Sequence, residues 1–438
     1  MTTKNYLVKG DKKLFRRWAM YDWANSVYSL TIATAVFPIY YDAVTRHGSD
    51  DKVMFLGREY VNSALYSYAL SFAFLFISII SPLLSSIADY RNNKHRFMEF
   101  FCYVGAISCA TLFWFDGDHL FIGILSFILA TIGFCGSLVF YNAYLPEIAE
   151  EKDQDRVSAL GFSLGYAGSV ILLIVNLMMI QKPEWFGMSN DGLGVKISFV
   201  LVGIWWAGFA QLTFSALRKL KPAEPREKKS LSSLAGGYRE LAKVWKQLKS
   251  LPRLSRFLLS FFFYIMAVQT VMYIAGLFGD KELHLPADKL IITILVIQLV
   301  AIGGAYLFSK LSSRFGNIRA LMIAVVAWIG ICIGAWFVYD FTGFVIVAFC
   351  VGMVMGGIQS LSRSTYSKML PETNDHASFF SFYAVTEKLA IVFGTLTYGL
   401  IEELTGSMRN SILALIVFFI LGLIGLMTVK YRSEAKTV

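Results

Sequence analysis

Long apolar runs separated by short polar connections recur along almost the whole chain. Each run reaches the length of about 20 residues that a helix needs to cross a bilayer. Because backbone polar groups in lipid must be paired within the segment, and because the runs lack the alternation of barrel strands, each run predicts a transmembrane helix. The twelve predicted cores lie near residues 18–41, 61–88, 97–115, 119–144, 158–180, 196–217, 255–279, 288–312, 318–338, 342–369, 378–401 and 409–430.

The composition of the chain agrees with lipid as its main solvent. Of its 438 residues, 56% are hydrophobic and only 16% are charged, and the mean hydropathy is +0.57. These values lie outside the usual range of soluble domains. The formal net charge is +10, yet the basic residues are spread over short connections, which disfavours a nucleic-acid partner. We therefore predict an all-α integral membrane protein in a lipid bilayer.

The cysteines and the N-terminal run carry little chemistry. All five cysteines fall inside apolar runs, without a CxxC pair or a neighbouring histidine, so neither a disulfide framework nor a metal site is predicted, and no cofactor is expected.

The first apolar run follows Lys12, Lys13, Arg16 and Arg17. It is too long for the apolar core of a signal peptide, and no small-residue cleavage site follows it. We expect it to remain as a membrane span.

Lysine and arginine are distributed unevenly between the two sets of connections. If both termini lie on one side, roughly 31 of the 40 basic residues lie on that side as well. The positive-inside rule assigns this side to the cytoplasm, so both termini are predicted to be cytoplasmic. The same bias, together with the lack of a targeting peptide, favours a bacterial inner membrane.

The two halves of the chain repeat each other. Leu145-Pro146-Glu147 after the fourth run matches Leu370-Pro371-Glu372 after the tenth, about 225 residues later, and segments 85–91 and 309–316 share nearly the same offset. Two parallel six-helix halves are typical of the major facilitator fold, in which the halves rock about a site near the midplane. We predict an N-terminal half over 1–217, a basic linker over 218–254 and a C-terminal half over 255–438.

The linker contains an amphipathic stretch. Apolar residues recur at helical spacing over 231–248, whereas Lys243, Lys246 and Lys249 occupy the other face. This pattern predicts a helix in the inner headgroup layer of the membrane. A passive linker is favoured over a regulatory site.

Four motifs together carry a family resemblance that covers essentially the whole chain. They are Tyr21-Asp22-Trp23-Ala24-Asn25-Ser26, Tyr141-Asn142-Ala143-Tyr144-Leu145-Pro146, Gly161-Phe162-Ser163-Leu164-Gly165-Tyr166 and Gly356-Gly357-Ile358-Gln359-Ser360-Leu361-Ser362-Arg363-Ser364. In this combination the chain resembles the vacuole-effluxer-like family of the major facilitator superfamily. The resemblance implies a secondary transporter similar to an autophagy-related fungal carrier that exports amino acids from the vacuole. The family often has an acid and a glycine in span 7, where this chain has Met266-Ala267, so a coupling role of that acid is absent or displaced.

The gating signature of the superfamily is only partly preserved. After the second span it survives as Ser85, Asp89, Arg91 and Lys94, and its second-half copy has Ser313 in place of the acid. We predict that Asp89, Arg91 and Lys94 form a conformational latch between spans. Arg363 lies toward the cytoplasmic end of span 10, where it is expected to snorkel or to form a gate, with ligand binding as the alternative.

A charged residue inside a span is expected to face a cavity or a partner, because inserting it at the helix centre costs roughly 2.5 to 3.5 kcal/mol. A rise of about 1.5 Å per residue from Ser378 puts Glu387 and Lys388 some 15 Å deep, near the midplane. Adjacent helical residues point about 100° apart, so the two need not pair directly. Two hypotheses stay open. Lys388 binds a substrate anion while Glu387 titrates or orients it, or a structural salt bridge locks span 11 to a neighbour.

Further polar residues are candidates for a solute or proton pathway. Asp22 and Asn25 are predicted to share one face of span 1 with Ser29. Asp22 is either a proton site or a partner of basic residues at the cytoplasmic end. The uncharged candidates, which could line a cavity or hold helices together by hydrogen bonds, are Gln269, Gln298, Gln359, Tyr383 and Asn142.

The sequence favours transport over other activities. It holds no nucleotide-binding glycine loop and no HExxH, GxSxG or paired membrane aspartate motif, so an enzyme is not predicted. We predict a monomer that carries a small polar solute by alternating access, coupled to a proton or solute gradient. The alternatives are a drug-type exporter, which a mid-membrane lysine disfavours, and a sensor or lipid scramblase built on the same bundle.

Overall fold

A computed structural model describes residues 7–46, 52–188, 192–220, 234–405 and 407–429. Within them, 12 helical spans are long and apolar enough to cross a membrane, and each coincides with one predicted run, so the predicted fold class is confirmed. In chain order the helices are α1 (Lys12–Val27), α2 (Phe37–Thr45), α3 (Asn62–Arg91), α4 (Lys94–Thr111), α5 (Leu120–Ala143), α6 (Leu145–Ile148), α7 (Glu151–Gln181), α8 (Leu193–Leu217), α9 (Leu234–Ser250), α10 (Pro252–Lys281), α11 (Ala287–Phe315), α12 (Asn317–Trp336), α13 (Phe341–Met369), α14 (His376–Thr405) and α15 (Met408–Thr428).

The first span is built from three pieces. A π-helical segment, Tyr28–Ala35, joins α1 to α2. At its end the N–H of Val36 bonds to the carbonyl of Thr31, five residues back, which is the wider turn of a π-helix. Pro38 follows in the first turn of α2, where its missing N–H does no harm. π-Helical turns inside spans are often found at functional sites.

A short β-hairpin follows the first span. β1 (Lys52–Phe55) pairs antiparallel with β2 (Arg58–Val61). Leu56 and Gly57 between them both have positive φ, as the favoured two-residue hairpin turn requires. These strands were not predicted from the sequence, because four residues are too few to give a clear periodicity.

The chain divides into two compact units. The first contains Met1–Glu150, Leu160–Arg239 and Asn374–Ala384, and the second contains Glu151–Ala159, Glu240–Thr373 and Val385–Val438. The first nine residues of α7 therefore pack with the second unit, and the start of α14 packs with the first. The predicted division at the linker stays a prediction.

Stacked aromatic rings and close contacts at glycines help to hold the first unit together. The indole of Trp18 stacks on Tyr141 with ring centroids 4.3 Å apart, and its Nε1 donates to the Tyr141 carbonyl at 3.0 Å. Gly165 on α7 lies so close to Ser26 and to the Asp22 carbonyl that an added Cβ would overlap the serine hydroxyl. The close approach of α7 to α1 therefore depends on a residue without a side chain.

The second unit uses the same device. Gly304 on α11 faces the Met353 carbonyl, and Gly356 on α13 faces the Ala301 carbonyl, in both cases closer than a Cβ would permit. These contacts let the backbones of α11 and α13 approach each other, as small residues commonly do between membrane helices.

Helix α9 lies in the predicted linker, where the amphipathic stretch predicts a helix. Val244 and Leu248 are buried, whereas Trp245 is 47% exposed. Lys249 Nζ lies 5.1 Å from the centre of the Trp245 ring, so this tryptophan shares the exposed surface with the lysines. Of the apolar positions predicted for this stretch, Leu231 lies outside the described residues.

Candidate functional site

A carboxylate, an ammonium and an amide meet in the membrane-spanning part of the second unit. Glu387 and Lys388 are the twelfth and thirteenth residues of α14. Lys388 Nζ lies 3.1 Å from Glu387 Oε2, and Gln269 on α10 donates from Nε2 to Glu387 Oε1 at 3.0 Å. We call Gln269, Glu387 and Lys388 the ionic cluster. The two charged side chains pair with each other, although the angle between adjacent helical positions did not require it.

The ionic cluster remains partly accessible. The side chain of Glu387 is 24% exposed and that of Lys388 is 11% exposed. Pairing opposite charges reduces the cost of keeping either one in an apolar helix. The arrangement can exchange partners, since the ammonium can bind a carboxylate from a solute while the carboxylate binds an ammonium or a proton.

The other uncharged candidates occupy several helices. Tyr383 on α14 is buried, and its ring lies edge-on to Phe380 with centroids 6.1 Å apart. Gln298 on α11 has a buried Oε1 that receives no hydrogen bond from the described residues. Gln359 on α13 and Asn142 on α5 are half-buried.

A second polar group lies in the first unit. Asp22 on α1 is 5% exposed, and the hydroxyl of Tyr141 donates to its Oδ2 at 2.8 Å. Asn25, one turn further on, is buried, and its Nδ2 finds no acceptor among the described residues. Ser29 was expected on the same face but is exposed. Ser29 is the second residue of the π-helical segment Tyr28–Ala35, which departs from the regular turn of α1.

Asp89 at the end of α3 binds the first turn of α14. Its carboxylate accepts hydrogen bonds from the Ala377 N–H at 3.2 Å, the Ser378 N–H at 2.7 Å and the Ser378 hydroxyl at 2.8 Å. A carboxylate in this position satisfies N–H groups that the helix itself leaves without partners and complements the helix dipole. Lys94 Nζ lies 3.8 Å from Asp89 Oδ1.

Glu147 and His376 extend this cluster. Lys94 forms an ion pair with Glu147, and His376 Nδ1 lies 2.8 Å from Glu147 Oε1. We call the residues joined in this way the first latch, namely Asp89, Lys94, Glu147, His376, Ala377 and Ser378. Sequence reasoning found Glu147 only as a landmark of the repeat and missed His376. Arg91, which was predicted to belong here, is exposed and forms no ion pair with another described residue.

Arg363 on α13 is 2% exposed, so it does not snorkel. Its Nε donates to the Ser158 hydroxyl at 2.9 Å and its Nη2 donates to the Ser158 carbonyl at 2.9 Å. The Ser158 hydroxyl donates in turn to the Ser360 carbonyl at 2.7 Å. Arg363 therefore ties the start of α7 to α13, and its role in gating stays a prediction.

One further acid, which sequence reasoning missed, lies a turn before Ser158. Asp155 is buried. Its Oδ2 accepts from the Ser312 hydroxyl and from Lys368 Nζ, each at 2.7 Å, and its Oδ1 accepts from Asn317 Nδ2 at 2.7 Å. We call Asp155, Ser312, Asn317 and Lys368 the second latch. The sequence signal that could have found it is the absence of the acid at Ser313.

Outside the spans, the connection between α4 and α5 holds one clearly perturbed acid. Asp116 accepts hydrogen bonds from His119 Nδ1 at 2.6 Å and from the His119 N–H at 3.0 Å. The side-chain hydrogen bond from His119 holds the pKa of Asp116 below its ordinary value. Within the described residues, no group of three His, Cys, Asp or Glu side chains is arranged to hold a metal ion.

Comparison with known families and relatives places the whole chain in one group of proteins. The family model for vacuole effluxer Atg22-like proteins matches residues 10–437. YxiO of Bacillus subtilis, named as an MFS-type transporter, is 31% identical over 95% of this chain and 95% of its own. Autophagy-related protein 22-1 of Phaeosphaeria nodorum is 25% identical over 86% of this chain and 78% of its own.

Solved structures give the same architecture. The fucose:proton symporter FucP of E. coli matches with a TM-score of 0.68 at 15% identity, covering 96% of this chain and 98% of its own. The proton:xylose symporter XylE matches with a TM-score of 0.70 at 13% identity, covering 95% of this chain and 94% of its own. At these identities the likeness shows the fold alone.

Proposed function

The chain belongs to the vacuole effluxer Atg22-like family of major facilitator transporters, and we propose that it carries a small zwitterionic solute, with an amino acid as the first candidate, by alternating access. The resemblance to an autophagy-related fungal carrier that exports amino acids from the vacuole is what makes an amino acid the first candidate. The chain is a transporter and not an enzyme. The solute, the coupling ion and the residues that handle them are the substance of the proposal.

The ionic cluster is the observation that carries the proposed solute class. A free amino acid presents a carboxylate and an ammonium on one carbon, and the cluster presents the opposite pair on adjacent residues of α14. Binding would exchange the 3.1 Å Lys388–Glu387 contact for two contacts with the solute, so that no charge is left without a partner. A charge buried without a partner is the outcome that membrane interiors penalise most.

Gln269 supports a second role for Glu387. The family often has an acid in span 7, and this chain has Met266-Ala267 there instead. Three residues beyond Met266, the Gln269 amide binds Glu387 at 3.0 Å, so span 7 still reaches a carboxylate, which is now carried by span 11. We propose that Glu387 accepts the coupling proton, with Asp22 as the second carboxylate available.

The remaining candidates are assigned to two groups. Asp22, Asn25, Gln298, Gln359, Tyr383 and Asn142 are proposed to line the solute or proton pathway. Asp89, Lys94 and Arg363 are proposed to hold the gate on the side that carries both termini. By the distribution of basic residues this side is the cytoplasm of a bacterial inner membrane, in which the protein would act as a monomer.

The proposal is tested by flux. Purified protein is reconstituted into liposomes preloaded with labelled amino acids, and their release is measured with and without an imposed proton gradient. Saturable, proton-dependent release of one or a few amino acids would support the proposal. If the monodisperse, folded protein moves none of them, the amino-acid assignment fails, whereas membership in the transporter family stands. A screen of other small metabolites for thermal stabilisation of the protein then replaces it.

A further inference from the structure

The repeat leaves one position of the second half without its expected acid. In the first half, Asp89 at the end of α3 binds the start of α14 through three hydrogen bonds. The corresponding residue at the end of α11 is Ser313, which is exposed and carries no charge. In the first half, the charged contact joins the end of α3 to the start of α14. If the second half needs a similar contact at its hinge, the connection between α11 and α12, another element must supply the carboxylate.

Asp155 supplies that carboxylate from the opposite helix. It lies in the second turn of α7, in the segment of α7 that packs with the second unit. Its two oxygens reach the end of α11 at Ser312, the start of α12 at Asn317 and the end of α13 at Lys368, each at 2.7 Å. In the first half the acid lies at the end of α3 and its donors at the start of α14, whereas in the second half the acid lies at the start of α7 and one of its donors at the end of α11.

The surrounding contacts show that the site is built and not incidental. Lys368 Nζ also reaches Asn317 Oδ1 at 3.1 Å, and Asn317 Nδ2 reaches the Thr365 hydroxyl at 3.0 Å. Ser158, three residues after Asp155 and so on the same face of α7, receives the guanidinium of Arg363 at 2.9 Å. Two successive turns of α7 are thus held by charged side chains of α13.

We infer that Asp155 is the gating acid of the second half. It holds α7 against the hinge between α11 and α12, and it must release Ser312, Asn317 and Lys368 before the side of the transporter that carries both termini can open. The inference rests on the proposed function only in assuming alternating access, and it requires no particular solute. Asp155 acts by positioning helices and is not assigned a contact with the solute.

A matched control lies two residues away. Asp153 lies in the first turn of α7, its side chain is 25% exposed, and it forms an ion pair with Arg156 at 3.6 Å within the same helix. The substitution Asp155→Asn removes the charge with little change of shape. The substitution Asp153→Asn makes the same chemical change at a position that reaches none of the three hinge helices.

The alkylation rate of a cysteine at a buried position reports whether the second latch is open, and this measurement needs no transported solute. Ser364 on α13 is buried, and its hydroxyl donates to the Leu361 carbonyl of its own helix at 3.2 Å, so Ser364→Cys is a mild change. Full-length protein in detergent is reacted with a polar maleimide, and alkylation at residue 364 is followed by peptide mass spectrometry. The alkylation of residue 364 in the same sample after unfolding in sodium dodecyl sulfate serves as the internal reference.

We expect Asp155→Asn to raise the alkylation rate at residue 364 by on the order of fivefold or more, because a charge-assisted contact is lost. Asp153→Asn should leave this rate within about twofold of the parent. The exchange variant, Asp155→Ser combined with Ser312→Asp, restores a carboxylate–hydroxyl pair from the other side. It should bring the rate back toward that of the parent, which a general loss of packing would not do.

Two results would overturn the inference. One is alkylation of residue 364 that stays as slow in both Asp155→Asn and Lys368→Met as in the protein that carries Ser364→Cys alone. The Lys368→Met variant keeps the test decisive if Asp155→Asn does not fold. The other is an exchange variant that is labelled as fast as Asp155→Ser alone. Neither result involves a transported solute, so a failure here is distinct from a failure of the amino-acid flux experiment.

Discussion

Gln269 on α10 donates a hydrogen bond to Glu387 on α14 at 3.0 Å, and so joins two spans that are 118 residues apart in the chain. The amide orients one carboxylate oxygen, while Lys388 holds the other at 3.1 Å. Both oxygens of the Glu387 carboxylate are therefore held, one by an amide of α10 and one by the neighbouring ammonium of α14.

Lys388→Ala should reduce amino-acid flux at least about tenfold, since a solute carboxylate would lose a charge-assisted contact worth roughly 1.5–3 kcal/mol. The measurement is the initial rate of release from preloaded proteoliposomes. Lys310→Ala, at an exposed lysine of α11, is the control and should keep the parental rate.

The single substitution also leaves Glu387 charged without its partner, which can unfold the helix bundle. The double variant Glu387→Gln with Lys388→Gln removes both charges and should fold, as monodispersity in detergent will show, while remaining inactive. Parental flux in this double variant would rule out the ionic cluster as the solute site.

Glu387→Gln should separate solute exchange from proton-driven transport. A neutral amide can still accept a hydrogen bond from Gln269, but it cannot take up a proton and it binds the solute ammonium more weakly. Accumulation driven by a pH gradient should therefore be lost, while exchange of labelled for unlabelled solute should persist at a higher solute concentration. Glu403→Gln, on the exposed end of the same helix, should leave both activities intact. If accumulation driven by a pH gradient is lost in Asp22→Asn and kept in Glu387→Gln, the proton site is Asp22 and not Glu387.

Asp89→Asn should expose the first turn of α14 to solvent exchange. The Asp89 carboxylate accepts from the Ala377 and Ser378 N–H groups, and an amide in its place is a weaker acceptor, so amide hydrogen exchange over 374–384 should speed up by about tenfold. Arg91→Gln is the matched control, because Arg91 lies two residues away and is exposed. Equal exchange in both variants would show that Asp89 does not hold this turn closed.

Gly165→Val should lower the thermal stability of the protein, whereas Gly208→Val should not. A Cβ at 165 would overlap Ser26 and push α7 from α1, while nothing lies within 4 Å of the position where a Cβ would stand at 208. Overpacking of this kind costs about 1–3 kcal/mol. The check is thermal unfolding of both variants in the same detergent, and equal midpoints would mean that the two helices adjust without strain.

Part of the candidate site could be predicted from the sequence. Glu387, Lys388, Asp89 and Arg363 were found because a charge within or beside an apolar span is rare and needs a partner. Asp155 and His376 escaped notice because both lie in polar stretches between spans, where an acid or a histidine is unremarkable. The burial of Asp155 and the contact of His376 with Glu147, and not their positions in the chain, mark them as members of the two latches.

The sequence by itself determined the twelve spans, the two-fold repeat and the family, because the length and hydropathy of a helix are properties of a continuous segment and motifs are read along the chain. Only the tertiary structure decided which polar side chains meet. Asp155 lies 157 residues from Ser312 and 213 from Lys368, and no local pattern encodes such distances. The pairings follow from which helices lie side by side, and that is set by the packing of glycines such as Gly165 and Gly356 against neighbouring backbones.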